Sequence, residues 1–391
     1  MRENWVDINV TSPGNVNSNS ISNNRLKILY KWFWERRTRW LILFGIVLTF
    51  FLTSIIVPIT IFVTKKSTTL QTTATSTTQA ASTVSTSIQV SNIPKWKGNG
   101  ITIVGGNEYN SSSNRLFHPM GLCIDDDRKS IYIADMSSHH IVEYKFNETQ
   151  GEVVAGGNQP GSRLDQLNVP KDVVIDKKHD SLIICDYANA RVVRWSRQNQ
   201  SHQELILSDV RCHGLAIDCD GNLYICDSGR SKVIRWKQEN RNVTVVVGGH
   251  GYGKDLNQLA SPSYIFVDGN SSVFVSDTNN NRIMKWSQNS EVGIVVAGGC
   301  GQGDNLTQLF GPMGIFVDDL GNMYIADSGN TRIMYWAANT KEGSVLINQY
   351  GNGEYPIQFT DPNYISFDSK NNLYVSDTAA QRVRKFKIDR N

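Results

Sequence analysis

The stretch MYIADSGNTRIMYW, residues 323–336, sets Asp327, Ser328 and Arg332 within six residues. A carboxylate, a hydroxyl and a guanidinium that close together could activate a nucleophile or hold an anion. A second stretch, GGHGYGKD at residues 248–255, follows a phosphate-binding glycine loop as far as its lysine. Asp255 then stands where such a loop needs a hydroxyl to hold magnesium. A third candidate is His213, in CHGLAID, an imidazole that could ligate a metal or carry a proton. No G-x-S-x-G elbow and no C-x-x-C pair occurs.

Repetition decides what the first cluster is. The same aspartate recurs at Asp135, Asp186, Asp227, Asp277, Asp327 and Asp377, at intervals of 51, 41, 50, 50 and 50 residues. Five residues after it stand His140, Arg191, Lys232, Arg282, Arg332 and Arg382. Equivalent copies around a ring cannot all be one active site, so these aspartates read as architecture. Each is expected to accept backbone N–H bonds across the turn that follows it, and the basic residue is placed to pair with it or with the neighbouring blade. GGNQPGSR at 156 and GGCGQGDN at 298 repeat the glycine loop without its lysine, and no helix follows to aim N–H groups at a phosphate. Those glycines read as links between units.

Each unit supplies the elements that position these residues. A short apolar run (GLCID, DVVID, GLAID, YIFVD, GIFVD, YISFD) precedes a turn of Asp, Gly and Asn. Then comes the run ending in the repeat aspartate, then a run ending in Trp, Tyr or Phe, then a fourth run such as GEVVAGG or GIVVAGG. That makes four β-branched strands per unit. No amphipathic helix of 10 residues or more is legible after residue 100. Six four-stranded units at this period predict an all-β, six-bladed β-propeller. ITIVGG, residues 101–106, is a fourth-strand sequence without a blade, and the chain finishes on RVRKFK, a third strand. Their pairing would fasten the ring and leave no free edge at the seam.

The stretch PMGIFVDDLGNMYIADSGNTRIMYW, residues 312–336, resembles the NHL repeat in its proline, glycine, paired aspartates, asparagine and arginine. The resemblance spans residues 101–387. It is strong in the fourth to sixth units and weaker in the first, where His139 and His140 replace the Asn/Arg region. It implies an interaction platform. The ubiquitin-ligase relatives carry a RING and B-box ahead of the propeller, whereas no cysteine precedes residue 123 here.

One position recurs just before each innermost strand: Met120, Lys171, His213, Ser263, Met313 and Asn363. In a propeller these six ring the channel mouth, which makes them the candidate ligand-binding residues. The peptidyl-amidoglycolate lyase propeller is similar, and the resemblance implies zinc-binding histidines at this kind of position in three blades. Only His213 matches, His118 is two residues off register, and zinc catalysis usually needs three protein ligands. No metal, cofactor or catalytic residue is therefore expected. His139 and His140 replace turn residues and, as an exposed pair, could hold a metal only weakly, and His179 and His202 fall in loops.

Residues 40–63 carry no charge, and 24 helical residues at ~1.5 Å each reach about 36 Å, enough for a ~30 Å hydrocarbon core. Arg25, Lys27, Lys31, Arg36, Arg37 and Arg39 precede the span, against Lys65 and Lys66 after it. The positive-inside rule then predicts a single-pass type II membrane protein with a cytoplasmic N-terminus and an extracellular or luminal propeller. The expected domains are a disordered tail with a basic juxtamembrane segment (1–39), a transmembrane helix (40–63), a Ser/Thr-rich stalk or plain flexible linker (64–94) and the propeller (95–391). A net charge of +3, with the basic excess beside the membrane, excludes a nucleic-acid footprint.

Sequons at Asn110, Asn147, Asn199, Asn242, Asn270 and Asn305 fall in predicted turns or loops and are expected to be glycosylated; Asn9 would face the cytoplasm and stay bare. Six cysteines allow fifteen complete pairings. The wiring puts Cys185, near the end of a second strand, beside Cys212, just before the next unit's first strand. Cys185–Cys212 is thus the expected disulfide and Cys185–Cys226 the alternative. Cys123 reads as a buried thiol, and Cys219 and Cys300 lie in turns. The expected function is an extracellular binding module for a protein, peptide or glycan. The competing reading is a metal-dependent lyase or hydrolase at the channel mouth, with His213 and Lys171 as its actors.

Overall fold

The structure is a computed structural model that describes residues 96, 100–106, 115–157, 159–199, 201–348 and 359–389. The expected tail, membrane helix and stalk lie outside the described residues, as does Asn110. Among the described residues no helix is long and apolar enough to cross a membrane.

The strands, from β1 (Ile101–Gly105) onward, form six antiparallel four-stranded sheets, the blades. The first blade holds β2 (Pro119–Asp125), β3 (Ser130–Asp135), β4 (His140–Lys145) and β5 (Gly151–Gly156). The second holds β6 (Pro170–Asp176), β7 (Ser181–Asp186), β8 (Arg191–Ser196) and β9 (Gln203–Ser208). The third holds β10 (Cys212–Ile217), β11 (Leu223–Asp227), β12 (Lys232–Trp236) and β13 (Val243–Gly248). The fourth holds β14 (Ile265–Val267), β15 (Val273–Asp277), β16 (Arg282–Trp286) and β17 (Ile294–Gly298). The fifth holds β18 (Pro312–Val317), β19 (Met323–Asp327), β20 (Arg332–Trp336) and β21 (Ser344–Ile347). The sixth holds β22 (Pro362–Phe367), β23 (Leu373–Asp377) and β24 (Arg382–Phe386), and β1 completes it. The expected closure is present: Ile101 pairs with Lys385 and Gly105 with Arg382, and Trp96 adds a bridge to Ile388.

Every residue of each second strand is buried, because both faces of the blade are covered by neighbours. Strand β7 shows the alternation. Leu182 and Ile184 pack in the core between the first and second blades, while Ile183 and Cys185 pack in the core between the second and third. A strand buried on both faces reads as a continuous apolar run, as these do. Six such interblade cores replace one central core, and each buried aliphatic side chain contributes about 1.5–3 kcal/mol. The paired glycines end the outer strands. Gly298 has φ +66°, and a Cβ there would come within 2.6 Å of the Asn281 carbonyl oxygen, so the chain can leave the blade at this point only as glycine.

Cys185 and Cys212 form the expected disulfide between the second and third blades. Cys212 is the first residue of β10 rather than a residue before it, since its backbone already pairs with Asp227. The Cys185–Cys226 alternative fails for a geometric reason. The two occupy equivalent positions and therefore face the same way round the ring, so Cys226 packs in the core between the third and fourth blades. Cys226 is a buried free thiol, Cys219 and Cys300 are exposed and free, and Cys123 is half-buried rather than buried.

Candidate functional site

The repeat aspartates are clamps. Asp327 accepts the Phe310 backbone N–H at 2.7 Å through Oδ1, and through Oδ2 it accepts Arg332 Nε at 2.7 Å and Asn330 Nδ2 at 2.8 Å. Arg332 then donates to the carbonyls of Asp304, Asn305 and Gln308, which fastens the glycine-rich loop ahead of its blade. Arg191 and Arg282 do the same to the loops at 162–166 and 254–258. Burial raises the carboxyls of Asp186, Asp277 and Asp327 in spite of their arginines. Asp135, Asp186, Asp227, Asp277 and Asp377 likewise accept a backbone N–H from the segment leading into their own innermost strand. The sequence reading placed those N–H donors in the following turn. That turn supplies side chains instead, because its backbone winds into one 3-10 turn whose N–H groups point elsewhere.

The third blade departs from this scheme. Only residues 209–211 join β9 to β10, so there is no loop for an arginine to hold. Lys232 accordingly makes no ion pair among the described residues, contrary to the expected pairing. Arg230 lies 3.4 Å from Asp227 and pairs with Asp209 at 2.6 Å instead. In the first blade His140 Nε2 lies 3.6 Å from Asp135. The interval of 41 residues in the sequence is this missing loop.

Where the loop is missing, the mouth face is open. A cavity of about 680 Å³ lies there, with the third blade's turn Ser228–Ser231 and Arg211 on one side. The loop before the fourth blade, through Tyr252, Ser261 and Pro262, forms the other side. Tyr187, His213, Ser263, Thr278, Asn279 and Met313 complete the lining. Arg211 lies across Gly229, where a Cβ would come 2.9 Å from the arginine Cδ. Tyr252 is 66% exposed, with its hydroxyl held by Asn279 Nδ2 at 3.2 Å.

Below the mouth the channel is filled. The residues that follow the six mouth positions are Gly121, Asp172, Gly214, Tyr264, Gly314 and Tyr364, glycine alternating with a larger side chain; five are third in their innermost strand and Tyr264 lies just ahead of its own. A Cβ at Gly121 would come 2.0 Å from Asp172 Oδ1, one at Gly214 would meet the Tyr264 backbone at 2.8 Å, and one at Gly314 would meet that of Tyr364 at 2.8 Å. Tyr264 stacks edge-on with His213 (5.0 Å between centroids) and with Tyr364 (4.7 Å). Asp172 is fully buried and accepts the Leu215 and Val173 N–H groups, and burial raises its carboxyl to about 8.

The six mouth residues are therefore not equivalent. Five are the second residue of their strands, not residues before them, since backbone pairing already begins at Pro119, Pro170, Cys212, Pro312 and Pro362. Only Ser263 precedes its strand. Met120, Ser263 and Asn363 are buried. His213, Ser263 and Met313 come together in the cavity. Lys171 stands beside it, 5.6 Å over the Tyr187 ring, with Nζ 3.1 Å from Met136 Sδ, and burial lowers its pKa. Burial, with Lys171 nearby, lowers His213 to about 3 and keeps it neutral, and its Nδ1 has no hydrogen-bond partner among the described residues. Among the described residues no three His, Cys, Asp or Glu side chains converge to hold a metal ion. Sequence reasoning missed Arg211, Tyr252 and Tyr264. The visible signals were the short interval and the tyrosines in PSYIFVD and PNYISFD, where three other repeats carry glycine.

The NHL repeat profile matches residues 210–236, which span β10 to β12 of the open third blade. Solved structures share the fold. An auxiliary nutrient binding protein from Bacteroides thetaiotaomicron is 14% identical, with 74% of this chain and 76% of that chain covered and a TM-score of 0.58. Another from Bacteroides ovatus is 13% identical, with 76% and 78% covered and a TM-score of 0.57. A gluconolactonase from Xanthomonas campestris is 12% identical, with 70% and 87% covered and a TM-score of 0.53. No curated protein matches at a significant level.

Proposed function

We propose that this NHL-repeat propeller is a membrane-anchored binding module that takes its ligand in the cleft on the channel-mouth face. The observation that carries this reading is the single omitted interblade loop, which breaks the six-fold pattern and leaves the cavity lined by Arg211, Tyr252 and Asn279. A rigid scaffold with a hollow at one irregular connection is where binding residues usually sit. The nutrient-binding description of two structural neighbours is compatible with a binding role, although the likeness itself extends to the fold alone.

The anchor rests on the uncharged stretch at 40–63 and the basic residues before it. The disulfide supports an oxidising compartment for the propeller. Asn147, Asn199, Asn242 and Asn270 are exposed in turns on the face opposite the mouth, and Asn305 is exposed on the loop ahead of the fifth blade. Glycans at the first four would leave the cleft uncovered.

Labelled full-length chain applied to glycan and peptide arrays tests the assignment. The unmodified chain should retain a defined subset of probes, and Tyr252→Ala with Asn279→Ala should abolish that retention. Leu320→Ala, on the opposite face and 80% exposed, should leave it unchanged. Equal retention by the cleft variant would place the ligand elsewhere.

A further inference from the structure

We infer that the mouth cleft binds a carboxylate-bearing saccharide, with the carboxylate on Arg211 and the sugar ring against Tyr252. This deepens the proposed binding role and rests on it. Of the fifteen residues that line the cavity, two are arginine, one is histidine and none is acidic. Arg230 is already matched by Asp209 at 2.6 Å. The Arg211 guanidinium has no acid partner among the described residues, and it is the only cation at its place in the ring. The equivalent positions, each donating its backbone N–H to the repeat aspartate, are Phe117, Asn168, Ala260, Phe310 and Thr360.

Lys171 adds positive charge behind Tyr187, its ammonium 5.6 Å over that ring and 3.1 Å from the Met136 thioether sulfur. A planar guanidinium left free in a hollow without carboxylates is matched by a carboxylate, which it can grip through two parallel bonds. The remaining chemistry selects a sugar over an apolar acid. The Ser228 and Thr278 hydroxyls donate to the carbonyls of Arg211 and Pro312, so with Asn279 they offer oxygen lone pairs to sugar hydroxyls in the same hollow, and the Tyr252 ring is exposed yet held in place by Asn279. A volume of about 680 Å³ lies within the ~300–1,000 Å³ range of small-ligand sites.

Met313 lines the cavity and so reports on it. Full-length chain carrying ¹³C-methyl methionine would be titrated with D-glucuronate, D-glucose, the methyl ester of glucuronate and an N-acetyl dipeptide with a free carboxylate. Glucuronate should move the Met313 methyl resonance saturably, and glucose and the ester should not. Arg211→Ala should weaken glucuronate tenfold or more, with Arg211→Lys between the two and melting unchanged in both. Arg241→Ala, on the opposite face, should have no effect.

A response to glucose or the ester equal to that of glucuronate would overturn the carboxylate assignment while leaving the cleft as the binding site. An unchanged affinity in Arg211→Ala would do the same. A response to the dipeptide alone would overturn the saccharide. Silence of Met313 toward all four probes would overturn the inference, and the array experiment would then decide separately whether the cleft binds anything.

Discussion

The Tyr264 hydroxyl donates to Asn363 Oδ1 at 3.0 Å and so joins the fourth blade to the sixth across the ring. It also lies 3.4 Å from the Lys171 carbonyl, which brings in the second blade. Three even-numbered blades thus meet at one side chain, over the space that the glycines of the odd-numbered blades leave free. Tyr264→Phe should cost about 1 kcal/mol, the net value of a hydrogen bond. Tyr264→Ala should cost about 3–5 kcal/mol by opening a cavity that the rigid ring cannot collapse to fill. Urea unfolding midpoints measure both, and equal losses in the two variants would show that the ring volume is not what matters.

Asp172 makes the same centre sensitive to pH. Burial raises its carboxyl to about 8, against about 3.9 in an unfolded chain. The folded chain therefore keeps a proton that the unfolded chain gives up between those values. The stability this supplies is complete below about pH 4 and is lost as pH rises through 8, at about 1.4 kcal/mol per pH unit. Unfolding free energies compared at pH 5 and pH 8.5 should fall less steeply in Asp172→Asn than in the natural sequence. Parallel slopes would mean that Asp172 is ionised in the fold.

The clamps differ in what they hold, and substitution should expose it. Arg332→Ala strands the buried Asp327 and frees three loop carbonyls, and should cost about 3–5 kcal/mol. Lys232→Ala, at the same place in the third blade, should change stability by about 0.5 kcal/mol or less, since no loop hangs on it. Chemical denaturation of the two variants side by side checks the contrast. A large loss at Lys232 would indicate a partner that the blade geometry does not supply.

Much of the scaffold was legible because propeller blades are written in local patterns. Two-sided burial makes the second strand of each unit a continuous apolar run, and ITIVGG could be assigned to the last blade because a fourth strand without a blade has only one open edge to join. The Cys185–Cys212 bond followed from the same wiring, since adjacent blades bring those strand ends together. The arginine clamps were half legible. The pairing with aspartate is a matter of five-residue spacing, but the loop carbonyls lie 24–29 residues away and their approach is a matter of the fold.

The sequence by itself determined the blade count, the closure and the place of the missing loop, because each depends on strand periodicity and interval length. Only the tertiary structure decided that the mouth residues would be unequal, that Tyr264, Tyr364 and Asp172 would fill the axis, and that Arg211 would stand in a hollow without an acid partner among the described residues. Those outcomes depend on distances between the six innermost strands, which converge from positions 40 to 250 residues apart, and no local pattern encodes how the side chains share that space.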